Sequence, residues 1–88
     1  MVEQTMIDSR DIDQLKDLGT GRPAPEALVH LYRQAFADFG ALALWSSRPA
    51  RDPTFADALA ITRSLRVEGN LNARRLAEQI EAACRAAL

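Results

Sequence analysis

Two clusters of helix-breaking residues and one glycine decide what this chain can build. Thr20 to Ala24 reads Thr-Gly-Arg-Pro-Ala, Ser46 to Pro53 reads Ser-Ser-Arg-Pro-Ala-Arg-Asp-Pro, and Gly69-Asn70 makes a third break. Proline lacks a backbone N–H and glycine carries excess freedom, so neither fits the interior of a regular element. Four segments remain, and their apolar residues recur at spacings of three and four, the rhythm of a helix. Strand-like alternation competes only from Gly40 to Ser47. The expected fold is all-α: a small compact bundle of three main helices plus a short N-terminal helix, ending in an αα-hairpin.

Residues 1–8 read as frayed. From Ser9 to Leu18, Ile12, Leu15 and Leu18 lie about a turn apart, with Ser9 as N-cap, Asp11 in the first turn and Gly19 as the stop. Ten residues do not hold a helix alone, so this segment must dock. The longest helix is expected from Pro25, at its first position, to about Leu44. Leu28, Leu31, Tyr32, Ala35, Phe39 and Leu42 form its stripe, and Val29, Phe36 and Ala43 widen it. An arc that wide predicts a central helix packed on several sides, with Gly40 marking a close crossing. The third helix opens on Thr54 and Asp57 at capping-box spacing, with Asp52 the alternative cap, and runs to about Val67. Asn70 caps the fourth, whose seam holds Ala73, Leu76, Ile80, Ala83 and Ala87.

The 88 residues read as one domain with a thin core. Sixteen alanines favour helix but bury little area each. A second copy is therefore expected to complete the core, through Phe36, Phe39, Leu42 and Trp45 at the end of the second segment. Cys84 is the sole cysteine, no intrachain disulfide can form, and the beginning of the chain lacks the pattern of a secretory leader. No apolar run spans a membrane. A cytoplasmic protein is expected.

The run Phe39-Gly40-Ala41, Trp45-Ser46-Ser47-Arg48 and Asp52 superficially resembles the active-site strand and turn of small nucleotidyltransferases. That resemblance implies a Gly-Ser turn on nucleotide phosphates and an Asp-x-Asp pair on magnesium. Here Ser46-Ser47 replaces Gly-Ser, and Asp57-Ala58-Leu59 supplies one acid where two are needed. The chain is also short for such a domain. No residue is carried over.

His30 stands alone on a polar helix face, away from any second metal ligand, and reads as a surface residue. Cys84 falls between seam residues and reads as a small half-buried side chain. The carboxylates are scattered, and no phosphate loop, zinc motif or calcium loop occurs. No enzyme, cofactor or metal is expected.

The arginines near the hairpin are the best candidates for an anion or partner contact. Arg63 and Arg66 fall at the end of the third helix, and Arg74 and Arg75 at the start of the fourth. Sharing one end of the molecule, they would meet phosphate or an acidic partner. The structural reading is equally concrete: cations favour a helix C-terminus, and Arg74 can pair with Glu78. A net charge of −1 and a long preceding helix argue against a DNA-reading helix-turn-helix. The expected function is a non-catalytic protein–protein interaction or regulatory module that self-associates as a homodimer and meets a partner protein still to be identified. The alternative is a small nucleic-acid-binding protein using the arginines around residues 67–71.

Overall fold

The computed structural model describes residues 11–88, so the readings of residues 1–8 as frayed and of Ser9 as a cap lie outside it. Four helices follow in order: α1 (Ile12–Gly19), α2 (Glu26–Phe39), α3 (Phe55–Glu68) and α4 (Leu71–Ala87). The all-α bundle and its closing αα-hairpin are as expected, and the described residues contain no strand. None of these helices is long and apolar enough to cross a membrane.

Local chemistry explains the helix starts. The N-cap of α1 is Asp11, not a first-turn residue: its Oδ1 accepts the Gln14 N–H at 2.8 Å, and Gln14 Oε1 accepts the Asp11 N–H at 2.9 Å. Thr54 and Asp57 make the same reciprocal box on α3, at 3.1 and 2.9 Å. Asn70 Oδ1 accepts the Ala73 N–H at 3.0 Å and starts α4. Pro25 stands one step outside α2 as its N-cap, with extended backbone, so Glu26 is the first helical residue.

Two expectations about the second segment are corrected. Helix α2 stops at Phe39 rather than Leu44. Beyond Gly40 the chain widens into a turn, in which the Leu44 N–H is shared between the Phe39 and the Gly40 carbonyls, each at 3.2 Å. Ala43 and Leu44 still enter the core from that turn. Gly40 marks no helix crossing, since a side chain there would meet only the backbone of Phe36 in its own helix.

The central helix is α3, not α2. It touches α1, α2 and α4, and buries Phe55, Ala58, Leu59, Ile61, Thr62 and Leu65, whereas α2 buries Leu28, Tyr32 and Ala35. Helix α4 makes the most extensive of these contacts despite its alanines. Ala73 and Ala77 are fully buried beside Leu76, Ile80 and Cys84. Small side chains let helix backbones approach closely, so an alanine-rich seam forms an extensive contact despite its small residues. Cys84 is accordingly fully buried, not half-buried.

The two breaker clusters pair with each other. The Ala24 N–H donates to the Pro53 carbonyl and the Phe55 N–H to the Arg22 carbonyl, both at 3.0 Å. The Tyr32 hydroxyl accepts the Ala50 N–H at 2.9 Å, and Arg33 donates to the Arg51 carbonyl at 2.6 Å. Those bonds tie the long loop to α2. Gly19 allows α1 to dock at the start of α3, where an added Cβ would lie 2.5 Å from the Phe55 Cβ. Leu15, fully buried, anchors the helix.

Candidate functional site

Helix α3 presents Arg63 and Arg66 to a cleft of about 480 Å³ walled by α1, α3 and α4. Lys16 of α1 and Arg85 of α4 add cations, and Asp13 and Glu81 add acids. Arg66 is in the last turn of α3, and Arg63 sits a turn earlier. Two donors of the Arg66 fork are aimed by one carboxylate: Nε donates to Glu81 Oε2 at 3.0 Å and Nη2 to Oε1 at 2.6 Å. That hydrogen-bonded pair, outweighing the opposing cost of partial burial, holds the Arg66 pKa above its ordinary value, and the charges of Glu81 and Glu78 add to it. Glu81 lies fifteen residues away on another helix. Nothing local in the sequence signals the pairing.

The four arginines near the hairpin do not share one site. Arg75 lines a separate groove between α2 and α4, with Asp38, Phe39, Asn72 and Leu76. Arg74 is exposed on α4 and lines neither concavity. A helix turns about 100° per residue, so closeness in sequence to the hairpin spreads these side chains around α4.

The residues expected to self-associate divide by depth. Phe36 and Phe39 are half-buried against the core, and the Phe36 ring tilts on Tyr32 at 5.2 Å between centroids. Leu42 and Trp45, on the turn that leaves α2, are 47% and 70% exposed. Leu71 opens α4 beside the groove residue Asn72 and is 60% exposed. Leu42, Trp45 and Leu71 are thus exposed apolar residues on the segments that follow α2 and open α4, and none of the three lines the groove between those helices. The groove holds both signs of charge, since Asp38 and Arg75 line it without an ion pair to any described residue.

His30 is exposed on α2. The Cys84 thiol is pushed up to about 11, first by burial and then by the charge of Glu81, so it is a poor nucleophile near neutral pH. Among the described residues no three His, Cys, Asp or Glu side chains gather into a metal-binding group. Comparison with protein-family models, curated proteins and solved structures finds no match to this chain.

Proposed function

We propose that this chain is a non-catalytic interaction module that pairs with a second copy of itself across the groove between α2 and α4. Two observations carry the reading: Trp45 and Leu42 are exposed on the turn that follows α2, and the groove between α2 and α4 holds one acid and one base. Apolar surface left wet forgoes about 25 cal/mol per Å², a large sacrifice in a domain with few kcal/mol of stability. A twofold axis through the groove would cover this surface with its own copy, because an isologous interface sets each patch against itself. Asp38 of one copy would then face Arg75 of the other. A groove carrying a single sign of charge would repel its copy, and this one does not.

Sedimentation equilibrium at micromolar concentration tests the reading. The expected result is twice the chain mass, returning to the monomer mass in the Leu42→Ser, Trp45→Ser double variant with its helical circular dichroism intact. A wild-type chain that sediments as a monomer overturns it. So does a double variant that dimerises as tightly as the wild type.

A further inference from the structure

We infer that the cleft between α1, α3 and α4 binds a small organic carboxylate with an apolar body. Its volume of about 480 Å³ falls within the usual range of small-ligand sites, about 300–1,000 Å³. Its composition has the form such sites take, with apolar walls and a few convergent polar groups. Ile12 and Ala60 supply apolar surface over the buried Leu59, and Val67, 70% exposed, extends it toward solvent.

The polar part is already arranged. A guanidinium carries five N–H donors in a planar fork. Glu81 takes two of those of Arg66, which fixes the plane of the group and leaves the others available to a second carboxylate. Arg66 keeps 41% of its side chain exposed, whereas Glu81 keeps 12%, so the cation and not its orienting acid presents itself to a ligand. Arg63 sits three residues away on the same helix and Lys16 faces it from α1, and neither makes an ion pair with a described residue. Like charges brought to one cleft repel, and an anion between them relieves that repulsion. The fork of a guanidinium matches the two oxygens of a carboxylate. The remaining acid of the cleft, Asp13, disfavours more highly charged anions and leaves the monoanion preferred.

This inference is independent of self-association, because its residues lie outside the groove between α2 and α4. Calorimetric titration of the full chain with decanoate, kept below its aggregation concentration, tests it. The expected outcome is a saturable one-to-one isotherm whose affinity falls about tenfold in Arg63→Gln and in Lys16→Gln, both exchanges of solvent-reaching side chains. Arg74→Gln, exposed on α4 and lining neither concavity, serves as the control and should bind like the wild type. Acetate should bind at least about tenfold more weakly, since it lacks the apolar body. No saturation up to millimolar decanoate overturns the inference. Equal losses in Arg63→Gln and Arg74→Gln, or equal affinity for acetate and decanoate, overturn it too.

Discussion

Cys84 shows how a single buried side chain sets a pH limit on the fold. Its thiol is held at about 11 against an ordinary value of 9.0 because burial, with help from Glu81, disfavours the thiolate. The folded state therefore keeps this proton longer than the unfolded chain does. Its stabilising effect is complete below about pH 9 and is lost as pH rises through about 11. By then the loss reaches about 2 kcal/mol, on the usual conversion of about 1.4 kcal/mol per pH unit. Urea midpoints measured from neutral pH to about 11 should fall more steeply for the wild type than for Cys84→Ala. Parallel curves for the two proteins would show that the thiol is not the cause. Iodoacetamide at mildly alkaline pH should leave the native thiol unmodified and label it rapidly in denaturant. Tyr32 makes a second residue-scale case, since its hydroxyl accepts the Ala50 N–H at 2.9 Å. Tyr32→Phe should cost about 1 kcal/mol in urea unfolding, because a half-buried donor loses its acceptor. No measurable loss would mean that water serves that N–H equally well.

Among the elements, those with a chemical start signal were legible in the sequence and those ended by geometry were not. Thr54 with Asp57, and Asn70 before Leu71, announce α3 and α4 because a side chain must satisfy the first free N–H groups of a helix. Asp11 and Gln14 carry the same signal for α1, and Ser9 competes with it in the sequence only because serine is also a good cap. The end of α2 has no such mark. Ala43 and Leu44 keep the apolar rhythm after Gly40, and periodicity alone does not distinguish a helical turn from a wider non-helical one that buries the same two side chains. The cleft is equally hidden, because Lys16, Arg66 and Glu81 come from three elements. Gly69 reads in the sequence as a helix stop chosen for its conformational freedom, yet its φ is −94°, open to any residue. Its true constraint is space: an added Cβ would lie 2.3 Å from the Ala73 Cβ and 2.5 Å from the Leu65 carbonyl oxygen. Gly69→Ala should therefore destabilise the α3–α4 hairpin by about 1–3 kcal/mol, the usual cost of overpacking. Thr54→Ala should cost about 1 kcal/mol through the lost cap. Thermal unfolding followed by helical circular dichroism reads both. A Gly69→Ala protein as stable as the wild type would mean that the two helices separate without cost.

At the scale of the whole molecule the decisive question is which face meets the second copy, and charge reversal answers it without relying on loss of function. In the proposed isologous pair each chain contributes Asp38 and Arg75, and each meets its opposite across the axis. Asp38→Arg sets two guanidinium groups against each other at both contacts of its own homodimer. Arg75→Asp sets two carboxylates against each other in the same way. Juxtaposed like charges oppose association, so each variant alone should sediment as a monomer. Mixed, the two restore both contacts. At one, the new arginine of the first chain faces the new aspartate of the second; at the other, the retained Arg75 faces the retained Asp38. The mixture should reach the dimer mass, with both chains present in equal amounts when one carries a tag. Adding salt should weaken the recombined pair, because rim charges are screened over about 10 Å at about 0.1 M ionic strength. Variants that each dimerise as the wild type does would place the interface elsewhere. If both stay monomeric and the mixture stays monomeric too, the groove contributes to pairing by its shape or apolar rim, and the Asp38–Arg75 register is wrong.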